Sequence, residues 1–247
     1  MMAGRFHSLR KPLVRWFWMV VLSGLCLQLF FLAHIVLMVR IAPESTSFQR
    51  SQAWHIAQSK EGLRWQQDWV AYAQISDQLK RAVITSEDDI FATHDGVQWD
   101  ALEKAWSKNA KAEQLASKQQ HKAPPKIVGG STITQQLAKN LFLSGERTLL
   151  RKAQEFVLTL MLEAVLSKKR ILEIYLNNVE WGQGVFGAEA AAHHYFGKPA
   201  AQLSAWEAAR LAVMLPRPKF FEKLPHSEYL LNRADTIVAR MGNAQLP

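Results

Sequence analysis

Cysteine is almost missing from this 247-residue chain, Cys26 being its only one. That excludes an internal disulfide framework and any cysteine-built zinc site. Histidine metal chemistry has no foothold either, because His193 and His194 are adjacent and no H-E-x-x-H occurs. A nucleotide P-loop is absent. So are G-x-S-x-G and a Ser-x-x-Lys paired with Lys-Thr-Gly, which leaves nucleophilic serine hydrolysis without its residues. Period-two β-branched runs are few and no internal repeat is visible, which argues against β-rich and solenoid architectures. Acidic residues are missing from positions 1–40, which hold five of the 30 Lys and Arg.

What is present begins with Trp16–Val39, "WFWMVVLSGLCLQLFFLAHIVLMV", 24 residues without a charge. At ~1.5 Å per residue this spans a bilayer core of ~30 Å. A cleaved signal has an apolar region of ~7–15 residues and small residues at its cleavage site, and "LMVRIAPES" has no such site. Indoles at the run's start suit an interface, and Arg5, Arg10, Lys11 and Arg15 before it place the N-terminus on the cytoplasmic side. The expected organisation is a basic cytoplasmic segment over 1–15, a transmembrane helix over 16–39, a polar linker over 40–53 and a globular domain over 54–247. The expected location is the inner membrane, single-pass, with the domain on the periplasmic side. Beyond residue 40 the chain carries 25 basic against 21 acidic residues, a formal charge of +4. Such a charge suits anionic lipid or phosphate, and no nucleic-acid partner is expected.

Apolar residues in "LKRAVITSEDDIF", "STITQQLAKNLFL", "LLRKAQEFVLTLMLEAVL", "KRILEIYLNNV" and "WEAARLAVMLP" recur at spacings of three and four, so the domain is predicted to be all-α. Ser204–Glu207 reads as a capping box for a helix that Pro216 closes, and Gly197 as the C-cap of the helix before it. Residues 107–128, rich in Lys and Gln and ending in a proline pair, read as a mobile basic loop.

Four stretches concentrate chemistry. In "ITSEDDIFATHDG", Thr85 or Ser86 is a candidate cap for a helix whose first turn holds Glu87, Asp88 and Asp89, where the helix dipole favours negative charge. Phe91, four residues beyond Glu87, is placed to screen it from water and raise its pKa toward that of a useful base. "GGSTITQQLAKN" offers Ser131, Thr132 and Thr134 at a helix start, with Gln135, Gln136 and Lys139 following. Amides and hydroxyls there suit phosphate oxygens, against the simpler reading of a glycine turn with a Ser/Thr cap. In "RKAQE", Arg151 and Glu155 lie four apart, as a surface ion pair also would. "KKRILEIYLNNVEWG" adds Lys168, Glu173, Tyr175 and Asn177, and Glu173 taken singly reads as structural.

In this order the four stretches resemble the E-D-x-x-F-x-x-H-x-G, G-G-S-T-I-T-Q-Q, R-K-x-x-E and K-x-x-I-L-E-x-Y-L-N signatures of family 51 glycosyltransferases, the peptidoglycan polymerases. The likeness runs from about residue 72 through "EAARLAVMLPRP", and "GVFGAEAAAHHYFGKPAAQLS" is similar to the monofunctional biosynthetic members. With the chain ending at Pro247, no transpeptidase domain is expected. The resemblance implies a lysozyme-like helical fold with a membrane-apposed lobe, and lipid II and the growing glycan as partners. It implies Glu87 as the general base that activates the acceptor 4-hydroxyl, and Glu155 as a second carboxylate. The latter's role is open between organising cations, holding a divalent metal and assisting the leaving group. Lys139 and Arg151 match pyrophosphate-binding positions. Ser131, Thr132, Gln135 and Gln136 match positions holding the sugar-phosphate, and Lys168 is a further ligand contact. Asp88 is expected to give structural support. No organic cofactor is implied, the metal is unassigned, and division or elongation proteins are candidate partners. The segment between "WSKN" and "GGST" is longer than in a typical monofunctional member, in a region that forms a mobile flap in the family. Two other readings compete: a lytic enzyme of the same fold, which needs a sugar cleft but no pyrophosphate cradle, and a non-catalytic membrane scaffold.

Overall fold

The computed structural model describes residues 3–58, 64–99, 131–146 and 148–247. The predicted loop over 107–128 lies outside them. The chain divides into two units, Met1–Ile41 and Ala42–Pro247. In the first, helix α1 covers Ala3–Leu37. Its stretch Val14–Leu37 has a mean hydropathy of 2.3 and is long and apolar enough to cross a membrane. Helical geometry stops at Leu37, two residues before the apolar run does.

The second unit is predominantly helical. Helix α2 (Ser47–Ala57) starts inside the segment that its polar composition suggests is a linker over 40–53. A buried capping box explains the difference: Gln49 N donates to Thr46 Oγ1 at 3.0 Å, and Thr46 N donates to Gln49 Oε1 at 2.8 Å. Helix α3 (Asp77–Glu87) is capped by Ser76, whose hydroxyl accepts from Gln78 N at 3.1 Å. Then come α4 (Ile133–Phe142), α5 (Leu149–Val165), α6 (Lys168–Asn178), α7 (Ala188–Phe196), α8 (Ala205–Met214), α9 (Pro218–Phe221) and α10 (Glu228–Met241). The capping box at α8 forms as its sequence predicts, with Ser204 N donating to Glu207 Oε2 at 2.8 Å. Gly197 closes α7 in the left-handed region at φ +66.

Two helical layers share the core. Leu79, Ala82 and Val83 of α3 pack against Ala208, Leu211 and Ala212 of α8 and Ala234 and Ile237 of α10. On the other side, Leu137 and Leu141 of α4 meet Leu158 and Leu162 of α5. Helix α6 is buried on nearly all sides, so even its asparagines need internal partners. Asn177 Nδ2 donates to Val70 O at 3.0 Å and to Glu173 O at 2.8 Å. A small sheet adjoins it, ordered β1 (Gln66–Gln67), β3 (Val185–Phe186), β2 (Glu180–Gly182). The first pair runs parallel and the second antiparallel. Layers of helices with a small sheet satisfy the all-α expectation, since the strands are too short to form a layer of their own.

Candidate active site

The acidic triplet sits at the end of a helix, not at its start. Thr85 and Glu87 belong to the last turn of α3, and Asp88 is its C-cap. The expected N-terminal cap at Thr85 or Ser86 is therefore corrected. The stripe Leu79, Ala82, Val83 and Ile84 carries the helix through these residues, and burial of that stripe outweighs the local capping preference.

Because consecutive residues leave the helix in different directions, the three carboxylates take three environments. Asp89 points outward and pairs with Arg240 at 2.8 Å, both side chains more than half exposed. Asp88 is buried and collects donors: His94 Nε2 at 2.9 Å, Ile133 N at 3.0 Å and Gln98 Nε2. His94 Nδ1 accepts from Gly96 N at 2.9 Å, so Nε2 carries the proton that it gives to Asp88. Thr132 Oγ1 donates to Gly96 O at 2.6 Å. The turn after α3 is thus clamped to the start of α4 by Asp88, His94 and Gly96. This agrees with structural support from Asp88.

Gly96 has φ +83, and a Cβ built there would lie 2.7 Å from Glu163 Cγ and 2.9 Å from Thr159 Cγ2. Gly96→Ala is expected to destabilise the protein by about 1–3 kcal/mol, read as a lower thermal midpoint of the full-length chain. An unchanged midpoint would show that the clamp tolerates a side chain.

Glu87 is only partly covered, and Gln136 Nε2 donates to its Oε2 at 2.8 Å. Burial pushes its pKa above the ordinary carboxylate value and the neighbouring Asp88 adds to this. The Gln136 hydrogen bond and the charges of Lys139 and Arg233 pull the other way. Phe91 is fully buried, its ring beside His94 and under the Lys168 ammonium at 4.6 Å.

Next to Glu87, between α4 and α5, opens a cleft of 320 Å³. Ser131, Gln135, Gln136, Lys139, Arg151 and Glu155 line it, joined by Asn140 and Lys152, for which the sequence predicts no role. Helical spacing explains the convergence: Gln135, Gln136, Lys139 and Asn140 recur along one side of α4, and Arg151 and Glu155 face them from the first turns of α5. Glu155 is 3% exposed. Arg151 Nη1 donates to its Oε2 at 2.9 Å and Lys152 Nζ donates to Oε1. The pair read as a possible surface bridge is thus a buried carboxylate shared by two cations. Arg151 Nε is buried with no hydrogen-bond partner among the described residues. Lys139 keeps solvent access through the cleft, yet partial loss of water around its ammonium lowers its pKa. Glu155 opposes that shift, and Arg151 and Lys152 reinforce it.

Two predicted contacts lie elsewhere. Thr132 is buried as the N-cap of α4, its hydroxyl accepting from Gln135 N at 3.1 Å. Gln135 completes that box by accepting from Thr132 N at 3.1 Å, so its carbonyl serves the cap although the residue borders the cleft. Lys168 binds Glu163 at 2.8 Å and does not line the cleft. Glu163 also accepts from Thr134 Oγ1 at 2.6 Å, so Lys168 helps to lock α4, α5 and α6 together. Among the described residues no group of three or more His, Asp or Glu is placed to hold a metal.

A carboxylate of raised pKa beside a cleft walled by Lys139, Arg151 and Lys152 suits displacement of an anionic leaving group. The family profile described as Transglycosylase matches residues 55–242. The chain belongs to the transglycosylase family. It is therefore an enzyme, a glycosyltransferase with the lysozyme-like helical fold. Its relatives include biosynthetic peptidoglycan transglycosylases of three bacteria. That of Herminiimonas arsenicoxydans is 51% identical over 242 residues, covering 97% of this chain and 99% of the relative. That of Burkholderia lata is 49% identical over 253 residues, covering 99% and 97%. That of Burkholderia ambifaria is 53% identical over 226 residues, covering 91% and 87%.

Proposed function

We propose that this protein polymerises lipid II into β-1,4-linked glycan with release of undecaprenyl pyrophosphate. The observation that carries this reading is the joining of two environments through Gln136. Its amide binds Glu87, and its helix carries Lys139 into the cleft with Arg151 and Glu155. Glu87 takes the proton of the acceptor 4-hydroxyl as that oxygen bonds to the donor's anomeric carbon. The bond from that carbon to the pyrophosphate breaks, and its electron pair leaves with the phosphate oxygen. Attack from the opposite face converts the α-linkage to β. Lys139, Arg151 and Lys152 neutralise charge that grows on the leaving group, at a site where protein has partly replaced water. Ser131 and Asn140 supply neutral polar groups at the cleft wall.

Glu155 fits the role of organising cations. Each of its oxygens already accepts from a cation, so this donor set does not suit a divalent ion, and the mechanism has no metal step. The α1 segment anchors the chain in the cytoplasmic membrane with the basic N-terminus inside, which keeps the enzyme beside a lipid-linked substrate.

The relatives' biosynthetic names and the cationic cleft both favour synthesis over the lytic alternative. The test offers the purified protein labelled lipid II or finished glycan. Consumption of lipid II with release of undecaprenyl pyrophosphate is expected, and shortening of finished glycan with lipid II untouched would reverse the assignment. Lys139→Ala is expected to raise the KM for lipid II about tenfold or more, the loss of a charge-assisted contact. Its thermal midpoint should hardly move, because the side chain keeps solvent access. Wild-type kinetics in that variant would remove Lys139 from the site.

A further inference from the structure

Tyr175 lies on α6 and is 1% exposed, yet its hydroxyl donates to Gln136 Oε1 at 3.0 Å. The other end of the same amide, Nε2, donates to Glu87 Oε2 at 2.8 Å. A primary amide is nearly symmetric in shape, and turning it over exchanges an N–H donor for a carbonyl acceptor. Turned over, Gln136 would set its oxygen against the carboxylate. An ionised Glu87 only accepts, so the amide N–H must face it, and the carbonyl is left for the one proton of Tyr175.

We infer that Tyr175 is a positioning residue for the transfer, fixing the orientation of the Gln136 amide so that it donates to the base. The inference rests on the reading of Glu87 as that base. Tyr175 can only act in this sense while it holds its proton. Burial pushes its phenol well above the usual range, with Glu87 and Asp88 adding to the shift, so it remains a donor wherever the enzyme works. The hydrogen bonds therefore run in one direction, from Tyr175 through Gln136 to Glu87.

The sign of the consequence follows from the groups facing Glu87. Asp88 at the end of α3 repels its charge, whereas Lys139 from α4 and Arg233 from α10 attract it. Burial opposes ionisation more strongly than any of these, and the Gln136 donor is the largest effect favouring it. In Tyr175→Phe the ring and its packing remain but the Gln136 carbonyl loses its donor. The amide is then free to turn, and Glu87 holds its proton to higher pH.

The test is a carbon-13 carboxyl titration of Glu87 in the full-length protein, with the signal assigned by its loss in Glu87→Gln. Tyr175→Phe is expected to raise the Glu87 midpoint by about one pH unit, the size of a hydrogen bond to a charged group. The same substitution on a Gln136→Met background should have no effect on the midpoint. No shift in Tyr175→Phe, or an equal shift on both backgrounds, would overturn the inference, since a structural role for the tyrosine would not need the amide. The acid limb of kcat/KM should move with the titration, costing about tenfold at a pH on that limb. If the titration moves and the limb does not, the positioning by Tyr175 stands and it is the reading of Glu87 as base that fails.

Discussion

Glu87→Gln is expected to slow glycan polymerisation by about 10²–10⁴-fold, the usual contribution of a positioned general base. Glutamine keeps the size of the side chain but cannot take the acceptor's proton. The fold should not suffer, and the reason lies in linkage. Glu87 has a folded-state pKa above its ordinary value, so its contribution to stability is full at low pH and is lost as pH rises through that pKa. At neutral pH its ionisation therefore works against folding, and the variant should unfold at the wild-type temperature or slightly above. A slow enzyme of undiminished stability separates a catalytic role from a structural one. In the wild type, kcat/KM should fall with decreasing pH at a value above that of an ordinary carboxylate. Retention of wild-type turnover by Glu87→Gln would exclude it as the base.

Glu155→Gln is expected to reduce turnover by about 10²-fold, because cations displaced by ~1 Å lose that much of their effect. The wild-type carboxylate holds Arg151 and Lys152 on its two oxygens. Without its charge they repel each other and Lys139. Both cations have some access to water, with side chains 17% and 45% exposed. The stability loss should therefore stay at about 1–3 kcal/mol. The specific signature is the basic limb of the pH profile. With Lys139 acting as a cation, activity is expected to fall as pH rises through its lowered pKa. Glu155 is the main charge holding that pKa up, so its neutralisation moves the basic limb to lower pH. An unmoved limb together with full turnover would show that Glu155 does not organise the cations.

The helical pattern of the domain was legible because an apolar stripe at spacings of three and four survives any local ambiguity. The cleft was largely legible too, since Gln136, Lys139, Arg151 and Glu155 sit at helical spacings that bring them to facing surfaces. The direction in which "TSEDD" meets its helix was not. A hydroxyl pair followed by three carboxylates has the composition of a helix start, but α3 is held through Glu87 by packing on α8 and α10, partners more than 100 residues away in sequence. The structural contact of Lys168 was not legible either. Its cation is matched by Glu163 across the break between α5 and α6, a geometry that no single-helix spacing reveals. Thr132 suits both roles, cap and ligand, and the structure commits it to the cap, with Gln135 as its partner. Lys152 carries a legible signal, because its spacing of three from Glu155 marks it as that carboxylate's second partner. Tyr175 stands in the fourth signature, but its part was not legible there, since it depends on which end of Gln136 the hydroxyl meets.

The most direct test of base-assisted inverting transfer follows the anomeric signals of lipid II by NMR while the purified enzyme acts. The α-phosphate-linked signal is expected to be replaced, one for one, by a β-glycosidic signal as undecaprenyl pyrophosphate is released. Persistence of the lipid II signal, or a product that keeps the α configuration, would contradict it.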